Sequence, residues 1–141
     1  MPIAISDKAL YTINLAVQSL LLVAAISGAY VAKKKHNFKL HCRIMRAAVT
    51  VQVISIVAVM LPAMVGYLQR GNRDTFFNIE MWIHHSLGLV VVGIWVYVNL
   101  AFEGLIKSSG VFVKPMRAAF VLWMLTWLMG LYSYVVTWVP L

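Results

Sequence analysis

Residues 33–46 read KKKHNFKLHCRIMR and lie between two long apolar runs. This stretch holds half of the chain's twelve Lys and Arg, two of its four His and its single Cys. Basic residues that join membrane spans stay on the cytoplasmic side, because carrying them across the bilayer is costly and the inner leaflet is negatively charged. The stretch therefore sets the expected topology: an apolar span, a basic inner connection and a second apolar span.

Composition points the same way. A chain that is 62% hydrophobic and 11% charged, with a mean hydropathy of +0.86, cannot keep such a surface in water. The net charge of +8 does not indicate nucleic acid, since the cations cluster at the ends of apolar runs, where they anchor spans. A single Cys forbids an internal disulfide, and Cys42 on an inner connection would stay a reduced, inert thiol.

The first run, about 9–32, is long enough to cross a hydrocarbon core of ~30 Å at 1.5 Å per residue and is expected to be a retained helix rather than a cleaved signal. Tyr11, Asn14, Gln18, Ala25 and Gly28 recur at spacings of three and four, which puts them on one inward face. Ala24 with Gly28, and Ala25 with Ala29, are small pairs that permit close helix approach. A second helix is expected over about 43–68, kinked at Pro62, with His41, Met45, Ala48, Gln52, Ser55 and Val59 in register.

The following QRGNRDTFFNIE contains a Gly-Asn turn signal and balanced charge, which suits the outer side. A third helix over about 81–102 opens with MWIHHSLG; His85, Gly88, Val92, Trp95 and Asn99 share a face, and His84 points about 100° away. After a basic connection over 103–117, Pro115 starts a fourth helix over about 116–139. Its face reads Met116, Ala119, Trp123, Thr126, Gly130, Ser133 and Thr137. Gln52 and Asn99 are expected at similar depth, close enough to hydrogen-bond.

Nine Lys or Arg fall on the expected inner segments and three on the outer ones. The expected fold is therefore an all-α, integral membrane, four-helix up-down bundle. It forms a single transmembrane domain over 1–141, with both termini outside and 33–46 and 103–117 cytoplasmic.

Any chemistry must use the histidines and methionines. A haem b with two histidine ligands needs both imidazoles at one depth, whereas His41 and His85 fall at opposite ends of their helices. The inner end offers His41 with Met116 as a cofactor-binding pair. The outer end offers His84 or His85 with Met64, or Met60, as metal ligands. Imidazole with thioether suits copper or haem iron. No nucleophile arrangement or phosphate-cradling Gly motif is present, all four carboxylates are expected at helix ends or in loops, and an enzyme acting alone is not expected.

Three stretches carry a family resemblance: LHCRIM at the start of the second helix, a histidine at the start of the third, and MRAAFVLWMLTWLMGLYSY in the fourth. Over about the last hundred residues the chain resembles a small four-helix membrane family of uncharacterised function, some of whose bacterial members assist haem-copper cytochrome oxidases. His41, Arg43 and Met45 match its His-x-Arg-x-Met pattern. Arg117, Trp123, Gly130 and Tyr134 match its last helix, while Phe112 stands where the family tends to have a further histidine. The resemblance implies a non-catalytic accessory or assembly subunit of a membrane oxidoreductase, either a haem-copper oxidase or a copper membrane monooxygenase, with lipids and other membrane subunits as partners. HHSLG is also similar to cytochrome b561 cores, which gives a haem b electron carrier as the alternative.

Overall fold

The computed structural model describes residues 7–70, 75–107 and 112–139. The chain is all-helical: α1 (Asp7–Lys35), α2 (Phe38–Ser55), a π turn (Ile56–Met60), α3 (Leu61–Arg70), α4 (Thr75–Phe102) and α5 (Val113–Trp138). The second of these, its π turn and the third make one continuous rod, so among the described residues four helices are long and apolar enough to cross a membrane. Large apolar side chains such as Leu20, Ile54, Val57, Leu89 and Val121 point outward along them. Such a surface is stable only against lipid. The chain is an integral membrane protein.

The first helix ends later than hydropathy alone implies. Lys33, Lys34 and Lys35 form the last turn of α1, because lysine is a good helix former and a cation favours the negative end of the helix dipole. The connection to α2 is only His36 and Asn37, not the longer loop expected from the charges. His36 adopts the left-handed conformation (φ 50°) that stops α1. Asn37 then caps α2: its Oδ1 accepts from Leu40 N at 3.0 Å, and its carbonyl accepts from His41 N at 3.1 Å.

The expected kink at Pro62 is a π turn just before it. Pro62 has no N–H, and its ring presses on the carbonyl four residues back. Widening the helix relieves that clash, and Leu61 N reaches Ile56 O, five residues back. The Gly71-Asn72 turn signal lies outside the described residues.

Two compact units make up the chain, Met1–Arg73 with Gly130–Leu141, and Asp74–Met129. In the first, α1 buries Gln18, Leu21, Ala25 and Val31, and α2 buries Ala48, Gln52 and Ser55, which are the faces read from the spacing. Gly28 brings the two helices together. A Cβ there would meet Met45 Sδ at 3.2 Å and Ile44 Cγ2 at 3.4 Å, so a methyl fits only if Met45 yields slightly and anything larger would push the helices apart. At the far end of α1, Thr12 and Tyr134 share a 2.7 Å hydroxyl hydrogen bond, Tyr11 packs on Trp138, and Lys8 Nζ donates to Trp138 O at 3.4 Å.

In the second unit α5 buries Ala119, Trp123 and Thr126, again the expected face. Trp95 of α4 meets Trp123 edge-on, with centroids 4.6 Å apart and planes at 90°, the geometry favoured by the ring quadrupoles. Gly88 admits Thr126, whose Cγ2 would lie 3.8 Å from a Cβ at that glycine.

Candidate functional site

Two polar clusters lie within otherwise apolar helices, one in each unit. The first joins α1 to α2. Asn14 and Gln18 are one turn apart on α1, and Gln52 and Ser55 are three apart on α2, so each pair projects from a single face. Ser55 Oγ donates to Asn14 Oδ1 at 2.6 Å and accepts from Gln18 Nε2 at 3.1 Å. Gln52 is buried, yet its Oε1 finds no partner among the described residues. Ser55 is also the last residue before the π turn. Every group here is an amide or a hydroxyl, so the cluster orders helices and exchanges no protons.

Closer to the hairpin, His41 Nδ1 lies 2.9 Å from Gly28 O. A carbonyl oxygen can only accept, so Nδ1 carries a proton, and in the neutral tautomer that this selects the lone pair is on Nε2. Met45, one turn on, crowds the same glycine.

The second cluster is on α4. His85 Nδ1 lies 2.7 Å from Met81 O, so by the same argument Nδ1 carries a proton and Nε2 is the lone-pair nitrogen of the neutral tautomer. His84 and His85 meet edge-on, with centroids 5.3 Å apart. The expectation that His84 points away from the interior needs correction. His84 lies against the Thr126 backbone, and its Nδ1 is buried with no partner among the described residues. The inward stripe of α4 is Glu80, His84, Gly88, Val91 and Trp95, of which Glu80, Val91 and Trp95 are buried. Asn99 donates one of its two amide N–H groups to Trp95 O of its own helix at 2.8 Å.

Glu80 also departs from expectation. It lies in the second turn of α4 and is only 7% exposed, not at a helix end, because α4 begins at Thr75, six residues before the expected start. The apolar Phe76, Phe77 and Ile79 that flank it are the signal from which the extra turns could have been read.

The methionines expected to share ligands with these histidines are half-buried, Met116 in the first turn of α5 and Met64 in α3. Neither belongs to the same compact unit as its expected histidine partner. Among the described residues no group of three or more His, Cys, Asp or Glu is placed to hold a metal ion. No family model, curated protein or solved structure matches the chain.

Proposed function

We propose that the chain is a non-catalytic accessory or assembly subunit of a membrane oxidoreductase complex, a haem-copper oxidase or a copper membrane monooxygenase. Its setting is a prokaryotic plasma membrane, with both termini outside and the basic segments 33–46 and 103–117 in the cytoplasm. The observation that carries this reading is the pair of carbonyl-tied imidazoles. His41 is fixed by Gly28 O and His85 by Met81 O, and in its neutral tautomer each ring has Nε2 as the lone-pair nitrogen. Such a backbone hydrogen bond is what orients a histidine that ligates a metal.

These rings fit copper or haem iron. The imidazoles of His41, His84 and His85 and the thioethers of Met64 and Met116 are the donors this chain offers, and a bound group would supply the electron transfer. The described residues contain no converging set of three stronger ligands, so a set completed by a neighbouring subunit is the economical arrangement. The chain's own contribution is to hold two imidazoles in a fixed tautomer within a helical frame ordered by groups that do not titrate.

Purification in a gentle detergent followed by mass spectrometry tests this. Oxidoreductase subunits should travel with the chain, and migration alone would sink the proposal. The tied imidazoles also favour the second reading, a haem b electron carrier similar to cytochrome b561. A reduced-minus-oxidised haem b band that disappears in His41→Ala or His85→Ala would select it.

A further inference from the structure

The two-residue connection between α1 and α2 does more than reverse the chain. It sets Lys33, Lys34 and Lys35 in the last turn of one helix beside Lys39 and Arg43 at the start of the next. All five side chains are exposed. The sequence has no Asp or Glu between Lys8 and Arg73, so neither helix carries a carboxylate that could neutralise the group from nearby. The nearest acid on α1 is its first residue, Asp7, about 42 Å away along the axis at 1.5 Å per residue. Electrostatic attraction at physiological salt decays over about 8 Å, so that charge does not reach.

Apolar side chains are interleaved with these cations. Phe38 is 62% exposed and Leu40 38% exposed, on either side of Lys39. A soluble acidic partner would need only the charges, and an exposed phenyl ring between them would be a liability. A bilayer interface needs both, because phosphates lie directly above acyl chains and lysine stems reach across that boundary. We propose that the α1–α2 tip is a binding surface that selects anionic phospholipid headgroups, with Lys33, Lys34, Lys35, Lys39 and Arg43 on the phosphates and Phe38 and Leu40 among the upper acyl carbons. This goes beyond anchoring, which any lipid satisfies, and it is independent of the proposed oxidoreductase partner.

The full chain reconstituted in nanodiscs of equimolar phosphatidylcholine and phosphatidylglycerol exposes both ends, so the test does not depend on orientation. Lipids retained after mild detergent extraction are counted by native mass spectrometry. The wild type should retain phosphatidylglycerol over phosphatidylcholine by at least about fivefold, the factor that one lysine near an anionic surface contributes. The variant K33Q/K34Q/K35Q/K39Q should lose the preference, whereas the arginine counterpart K33R/K34R/K35R/K39R should keep it. The arginine variant also shows that the tip still folds. Equal retention of the two lipids by the wild type overturns the proposal, as does a preference that survives the glutamine variant or is lost equally in K107Q/K114Q. Loss of a bound acidic protein from the glutamine variant, with lipid retention unchanged, would assign the surface to a protein instead.

Discussion

Replacing Gln52 by leucine should stabilise this protein. Gln52 lies about 21 Å along α2 from Phe38 at 1.5 Å per residue, near the middle of the span Phe38–Gly66. It is only 6% exposed, and its Oε1 has no partner among the described residues. In water-soluble proteins an orphaned buried acceptor costs about 1–3 kcal/mol. Within a membrane, separated helices also lack water but find other partners, and side-chain hydrogen bonds there average about 0.6 kcal/mol, with about 2 kcal/mol as the upper range. Leucine has a similar volume and no polar atom, so Gln52→Leu should gain about 0.5–1.5 kcal/mol from removing the orphan and restoring apolar contact. Ser55→Ala is the opposite case. It leaves both Asn14 Oδ1 and Gln18 Nε2 without their hydroxyl, and two lost bonds at the membrane average cost about 1.2 kcal/mol. Reversible unfolding in mixed micelles, followed by circular dichroism as the denaturing detergent fraction rises, measures both. A Gln52→Leu loss as large as that of Ser55→Ala would refute the reasoning, since it would mean that the amide oxygen is engaged in the folded state.

Three further outcomes follow from the geometry. Gly28→Ala should be tolerated, because the tight contact is with the flexible end of Met45, whereas Gly28→Leu should cost about 1–3 kcal/mol by forcing α1 from α2 and breaking the His41–Gly28 bond, as read by the same unfolding assay. In a double-mutant cycle, Trp95→Ala and Trp123→Ala should couple by about 0.5–1.5 kcal/mol, the worth of an edge-on aromatic pair, and additive losses would deny the contact. A cysteine reagent confined to the outside of intact cells should not label Cys42 until the membrane is opened, because Lys33, Lys34, Lys35 and Lys39 hold its segment inside; labelling without permeabilisation would reverse the proposed orientation.

The inward faces of α1, α2 and α5 were legible because a 3.6-residue period linking small and polar residues has one solution there: Gln18 with Ala25, Gln52 with Ser55, Trp123 with Thr126. On α4 the period has two solutions. Gly88 and Trp95 belong both to a stripe through His85 and Val92 and to one through His84 and Val91, and side-chain character does not separate them. Only packing against Thr126 decides for His84. Helix ends were misread for a different reason. Charge marks where the bilayer stops, and a lysine-rich segment remains helical beyond that border, so Lys33–Lys35 belong to α1. At Pro62 the sequence signals a break, but whether the chain kinks or widens depends on how its neighbours re-pair the backbone.

The same extension of helices changes what the α4 histidines can do. With α4 beginning at Thr75, His84 and His85 lie about 14–15 Å inside the helix at 1.5 Å per residue, not at its mouth, and Glu80 precedes His84 by one turn on the same stripe. An ionisable stripe inside a span is costly and persists where it has a use. The α1–α2 cluster contrasts with it: Asn14, Gln18, Gln52 and Ser55 are polar but do not titrate, so they fix helix register at any pH. The two groups thus differ in chemistry: the α1–α2 cluster holds register with amides and a hydroxyl, whereas Glu80 and His84 are titratable groups on one stripe of α4. Substitutions in the α1–α2 cluster should therefore move stability and leave partner activity per folded molecule unchanged, whereas His85→Ala should lower that activity with little change in unfolding. If Ser55→Ala lowered activity per folded molecule as much as His85→Ala, this division would be wrong.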